Sequence, residues 1–245
     1  MKLEERFQME KPVILDGGFG TQVQTLNLRE EQWQGKGGCN EILNITAPES
    51  IQQIHRRYLD AGSDIIETNT FGANAVVLAE YGLAEESRRI NREAARLAQK
   101  ATEEAKGARF VLGSMGPGSK LPSLGQISFD DLHRSYTTQV QGLLEGGVDG
   151  VIIETCQDPL QVKAAVVAAL EESLRQGVSL PVIVTVTVEL TGTMLMGTDV
   201  SAMAAILSPY PLLAMGLNCG MGPEQMAPHL KVLSRRFPGP ILCQP

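Results

Sequence analysis

The sequence predicts an α/β fold with parallel strands, and within that class a TIM-type (β/α)8 barrel. Three observations carry this. Short apolar runs rich in β-branched residues recur along the chain, each closing on small or polar residues. Amphipathic segments lie between them. No G-x-G-x-x-G follows the first run and the spacing is fairly even, which favours the barrel over a doubly wound sheet. Continuous apolar runs suit strands covered on both faces, and repeated strand–helix alternation is the pattern of parallel α/β folds.

Seven runs read as strands: "PVILDGG", "SDIIETNTFG", "RFVLGSMGPG", "DGVIIETCQD", "PVIVTVTVEL", "LLAMGLNCG" and "GPILCQP". In the first intervening helix, "TAPESIQQIHRRYLDAG", Ile51, Ile54, Tyr58 and Leu59 share one face. Thr46 and Glu49 are spaced for a capping box, and Gly62 can end the helix. Residues 85–106 align Ile90, Ala94, Leu97 and Ala101, with Gly107 as the stop. Residues 129–145 follow Ser128 as a cap and align Leu132, Tyr136, Val140 and Leu144. "DPLQVKAAVVAALEESLRQG" has Asp158 at the cap and Pro159 at the first helical position. "GPEQMAPHLKVLSRRFPG" carries Met226, Leu230 and Leu233; Pro228 requires it to be short or kinked. A barrel of this type needs eight strands, so residues 1–245 read as a single barrel domain truncated before strand eight.

With 245 residues, 43% of them hydrophobic, the chain can bury a large core. A formal net charge of -7 argues against nucleic acid or an anionic membrane as partner. No run approaches the roughly 18 apolar residues of a membrane span. "MKLEERFQMEK" has no apolar core, so it is not a secretory signal. Cys39, Cys156, Cys219 and Cys243 are too dispersed for a small disulfide framework, and a reduced, cytoplasmic protein is expected.

In such barrels catalysis sits at the carboxyl ends of the strands. Those ends carry Asp16, then Glu67-Thr68-Asn69, Ser114, Glu154 with Cys156, Glu189, Asn218-Cys219 and Cys243. Asp16 can cap a turn or bind a substrate ammonium. Glu154 closes an apolar run, where a carboxylate needs a partner, either an ion pair or a ligand. Cys219, in "MGLNCGMGP", precedes a helix start, and the positive end of a helix dipole favours thiolate, the form that binds zinc. The alternative is a small buried residue. His55, His133 and His229 fall on helices and read as surface or interhelix residues.

"LDGGFGTQVQ", "NEILNITAPESIQQIHRRYLDAGSDIIETNTFGAN", "GPGSKLPSLGQISFDDL", "GVDGVIIETCQDPLQVKAAV" and "MGLNCGMGPEQM" together resemble the homocysteine S-methyltransferase family. The likeness is greatest to the homocysteine-binding barrel of cobalamin-dependent methionine synthases, in collinear order from about Pro12 onward. The resemblance implies a zinc ion held by three cysteine thiolates, with the homocysteine thiol as fourth ligand. Coordination deprotonates that thiol, which then takes a methyl group to give methionine. It matches Cys219 to the first zinc ligand, Asp16 to the aspartate near the substrate, Glu154 to the glutamate that meets the amino group, and Thr68 to the pocket-lining segment. Asn218, in "GLNCG", is a further substrate-binding candidate.

The family's other two zinc ligands lie in a Gly-Gly-Cys-Cys-Gly motif after strand eight, which does not occur here. Cys243, one strand along, and Cys156 are the alternative partners for Cys219. The methyl donor is expected to be methylcobalamin on a partner domain or corrinoid protein, or another donor. Unpaired barrel edges favour a homo-oligomer. The competing readings are a noncatalytic amino-acid-binding subunit that keeps Asp16 and Glu154 without the zinc chemistry, and a methyltransferase for another acceptor.

Overall fold

The computed structural model describes residues 1–245 and contains six strands, one fewer than expected. They are β1 (Ile65–Glu67), β2 (Phe110–Met115), β3 (Gly150–Cys156), β4 (Val182–Val186), β5 (Ala214–Asn218) and β6 (Ile241–Gln244). The helices are α1 (Leu3–Phe7), α2 (Phe19–Gln24), α3 (Glu30–Trp33), α4 (Leu43–Thr46), α5 (Pro48–Ala61), α6 (Ala75–Leu78), α7 (Ser87–Glu103), α8 (Phe129–Gly146), α9 (Pro159–Gln176), α10 (Val200–Leu207) and α11 (Pro223–Leu233). None is long and apolar enough to cross a membrane. The chain divides into two units, Met1–Ser114 with Thr138–Gly150 and Met115–Thr137 with Val151–Pro245.

In the first unit β1 and β2 pair in parallel, Ile65 opposite Phe110 and Glu67 opposite Leu112. Ile66, Val111, Leu59, Ala98 and Ala101 pack together, which sets β1 and β2 against α5 and α7. The missing strand is "PVILDGG". Its backbone runs beside β1, with Ile65 donating to the Ile14 carbonyl at 3.1 Å and Asp16 donating to the Ile65 carbonyl at 3.0 Å. Only one bridge forms, Leu15 with Ile65. The next β1 donor, the Glu67 amide, goes to the Asp16 side chain at 2.9 Å, and Gly17 and Gly18 lead into α2. The ladder therefore stops after one step. Arg6 of α1 holds the run in place, donating to the Pro12 carbonyl at 2.6 Å and to Asp64 at 2.8 Å.

One further expectation changes here, while His55 takes up the interhelix position expected of it. Thr46 does not cap α5. It already ends α4, Pro48 takes the first position of α5, and the Thr46 hydroxyl donates to the Gln32 carbonyl at 2.5 Å. Gly62 does end α5, at φ 108°. His55 is fully buried in α5 against Phe19, ring centroids 5.3 Å apart, with no hydrogen-bond partner at either ring nitrogen.

In the second unit β3, β4, β5 and β6 pair in parallel in chain order. A Cβ at Gly216 of β5 would lie 2.3 Å from the Leu242 carbonyl oxygen, so only glycine lets β6 register there. Asp158 caps α9 as expected, accepting from the Leu160 amide at 2.8 Å, with Pro159 at the first position. Helix α10 was not evident from the sequence; Asp199 caps it by accepting from Ala202 at 2.7 Å. Helix α11 is eleven residues long and carries Pro228 inside it.

Candidate functional site

The second unit gathers three residues, Glu154, Thr155 and Cys219, around the side-chain amide of Asn218. Strand β3 carries a bulge. Ile153 pairs with Val184 and Cys156 with Val186, so Glu154 and Thr155 stand opposite the single residue Thr185. Thr155 sits at φ 62°, in the left-handed region that β-branched residues avoid. The bulge frees its amide from the ladder, and that amide donates to Asn218 Oδ1 at 3.0 Å. Asn218, nearly fully buried at the end of β5, returns a hydrogen bond from Nδ2 to Thr155 Oγ1 at 2.6 Å. The same Nδ2 lies 3.4 Å from Glu154 Oε2 and 3.5 Å from Cys219 Sγ. The Asn218 carbonyl accepts from the Thr187 hydroxyl at 2.9 Å, which ties the strand end to the segment after β4. A carboxylate and a thiol thus flank one fixed amide.

Cys219 is exposed, also left-handed at φ 57°, and its amide donates to the Gln244 carbonyl at 3.0 Å. Helix α11 starts four positions later, with Gly222 as its N-cap. The two alternative zinc partners do not join it. Cys243 pairs in register with Leu217, and Gln244 with Asn218. Side chains alternate along a strand, so Cys243 points to the opposite sheet face from Asn218, whose amide touches the Cys219 sulfur. Cys156 is fully buried, and burial, then the charges of Glu154 and Asp158, raises its thiol far above the ordinary range. No group of three His, Cys, Asp or Glu side chains is placed to hold a metal ion.

The first unit holds the other two candidates. Asp16 carries the Glu67 amide on its carboxylate, the turn-capping role that aspartate favours. Its charge acts on Tyr58, whose hydroxyl is raised by burial and then by Asp16; that hydroxyl donates to the Gly18 carbonyl at 3.2 Å. Thr68 is buried. Thr70 gives its proton to the Ser114 carbonyl at 2.7 Å, so at the 2.5 Å contact between the two hydroxyls Thr68 is the donor. Thr68 Oγ1 in turn accepts from the Ser114 amide at 3.1 Å. Its hydrogen-bonding capacity is spent on joining the ends of β1 and β2.

Sequence reading missed Thr155, because "VIIETC" looks like an uninterrupted strand and nothing local marks the bulge. It also missed Glu41, buried in the first unit, which accepts from the Gly72 amide at 2.7 Å and lies 3.6 Å from the Cys39 sulfur. Burial raises the Glu41 carboxyl, and burial together with the Glu41 charge pushes the Cys39 thiol up to about 11. Glu189 lies beyond β4, in a turn, where its carboxylate accepts from Gln157 Nε2 at 2.9 Å.

Parallel strands alternating with helices, and a carboxylate and an exposed thiol at their carboxyl ends, define the class. The family model of homocysteine S-methyltransferase matches residues 13–245, and the chain belongs to that family. Within it, the chain is similar to the methionine synthase of Mycobacterium leprae (strain TN), 42% identical over 239 residues, and to that of Mycobacterium tuberculosis (strain ATCC 25618 / H37Rv), 41% identical over 239 residues. Each match covers 96% of this chain and 20% of the relative, so the chain spans about one fifth of the length of the curated relatives it matches. The fold is that of the homocysteine methyltransferase MmuM from Escherichia coli. Its oxidized form gives a TM-score of 0.80 at 24% identity, over 98% of this chain and 85% of that one. Its metallated form gives 0.77 at 23% identity, over 95% and 83%.

Proposed function

We propose that the chain binds homocysteine and transfers a methyl group to its sulfur, giving methionine, as a cytoplasmic domain of TIM-type barrel architecture. The observation that carries this is the shared amide: Glu154 Oε2 and Cys219 Sγ lie 3.4 and 3.5 Å from Asn218 Nδ2. Homocysteine presents an ammonium at one end and a thiol at the other. Glu154 receives the ammonium, and the thiol is directed towards Cys219. Asn218 is a further substrate contact, and the family resemblance assigns substrate-binding roles to Asp16 and Thr68 as well. Zinc is the metal the family resemblance implies, and Cys219 is the ligand this chain offers it. Cys243 and Cys156 do not complete a donor set with it. The methyl group comes from methylcobalamin carried by a corrinoid partner.

A second reading is an amino-acid-binding module without methyl transfer, which needs only the carboxylate and amide that Glu154 and Asn218 bring together. One experiment separates the two. The chain is incubated with L-homocysteine, zinc and methylcobalamin, methionine formation is followed, and binding of L-homocysteine and L-methionine is measured with and without zinc. Methionine formation that is lost in Cys219→Ser supports the enzyme. Equal metal-free binding of both amino acids without turnover supports the module. No binding of either overturns both.

A further inference from the structure

We propose that Thr155 is a positioning residue that sets the chain length of the thiol amino acid the site accepts. By fixing the Asn218 amide it fixes the spacing between the Glu154 carboxylate and the Cys219 sulfur. This rests on the homocysteine reading above and deepens it.

The argument starts from the two ends of one amide. Asn218 Oδ1 accepts from the Thr155 backbone N–H at 3.0 Å, and Asn218 Nδ2 donates to the Thr155 hydroxyl at 2.6 Å. A flipped amide would set its NH2 against the Thr155 N–H, donor against donor, so the orientation is unique. With one Nδ2 hydrogen committed to Thr155, the other faces Glu154 Oε2 and Cys219 Sγ at nearly equal distances. The Thr155 hydroxyl lies 3.9 Å from the same sulfur. The carboxylate and the thiol therefore both lie against the Thr155–Asn218 pair.

The backbone of Thr155 points the same way. Its N–H reaches Asn218 only because the bulge removes it from the β3–β4 ladder. Its φ of 62° suits glycine or asparagine, not a β-branched side chain. A strained conformation persists where the surrounding structure demands it, and such positions cluster at functional sites. Here the strain keeps a hydroxyl where a glycine would supply the turn alone.

Homocysteine and cysteine differ by one methylene between the ammonium-bearing carbon and the sulfur. A site with a fixed carboxylate-to-thiol spacing distinguishes them; one methylene is worth about 10- to 200-fold. The test is calorimetric titration of L-homocysteine and L-cysteine into the chain, with zinc in the buffer, for wild type, Thr155→Ser, Thr155→Val and Thr155→Gly. Glycine suits the left-handed backbone, so that variant folds even where valine does not. Wild type should prefer homocysteine by at least about tenfold, and Thr155→Ser should stay within about twofold of that ratio. Thr155→Val and Thr155→Gly should bring the ratio close to one. A purely structural role would weaken both ligands together and leave the ratio unchanged, and that result overturns the proposal. Wild type that binds cysteine and homocysteine equally overturns it too. Wild type that binds neither removes the homocysteine reading itself.

Discussion

The amide nitrogen of Asn218 at the end of β5 stands 2.6 Å from the Thr155 hydroxyl in the β3 bulge, reaching past β4, which pairs with both strands. The Thr155 amide answers it at 3.0 Å. Asn218→Ala removes an acceptor and a donor at once and leaves the Thr155 N–H with no partner from β5. Stranding such groups and emptying the space should cost about 2–4 kcal/mol of unfolding free energy. Urea denaturation measures this. A loss within experimental error would mean that water replaces the amide and that the bridge is not structural.

The pleat makes a prediction about metal. Cys243 shares a sheet face with Leu217, not with Asn218. Cys243→Ser should therefore leave zinc affinity unchanged in competition with a chromophoric chelator, and Cys156→Ala should do the same. Cys219→Ser should lose it. Parallel losses in Cys219→Ser and Cys243→Ser would place both sulfurs on one ion and refute the face assignment.

Much of this architecture is legible in the residues because it is set locally. Asp158-Pro159 announces the start of α9, and Ser128 the start of α8, where its hydroxyl accepts from Asp131 at 3.0 Å. The apolar runs of β2, β4 and β5 are buried along their whole length, which their composition announces. Other features depend on partners distant in sequence. "PVILDGG" has the composition of a strand, yet the Asp16 side chain takes the donor that would extend its ladder. The bulge at Glu154–Thr155 exists only relative to β4. Cys219 and Cys243 both follow apolar runs, and pairing register alone assigns Cys243 to the other face. Glu154 and Cys219 were each recognisable, but their common dependence on one asparagine was not.

Asp158 links a helix start to the loop after β2. Its carboxylate accepts from the Leu160 amide at 2.8 Å, the Ser123 hydroxyl at 2.7 Å and the Ser123 amide at 2.9 Å, while fully buried. Gln161 adds bonds from Nε2 to the Gly118 and Lys120 carbonyls at 2.9 and 3.0 Å. Loss of an N-cap costs about 1 kcal/mol and each stranded buried partner about 1–3 kcal/mol, so Asp158→Ala should destabilise by about 2–4 kcal/mol. It should also expose the segment around Ser123 to limited proteolysis. Ser123→Ala, which keeps the cap, should cost about 1 kcal/mol. Equal losses in the two variants would deny Asp158 its double role.

His55 predicts acid sensitivity. Burial lowers its pKa to about 3, against 6.5 for an ordinary histidine, and neither ring nitrogen has a partner. The folded chain holds the ring neutral while the unfolded chain takes up a proton below pH 6.5. The folded pKa is the lower one, so stability is fully present above 6.5 and falls as pH drops towards 3. The slope is about 1.4 kcal/mol per pH unit in that window. His55→Leu removes the titration and keeps an apolar group against Phe19. Relative to wild type, the variant should gain about 2–3 kcal/mol between pH 7 and pH 4.5. Urea midpoints at the two pH values read this as a difference, which cancels the carboxylates common to both proteins. A variant that tracks wild type across the window would show that His55 takes up its proton in the folded chain.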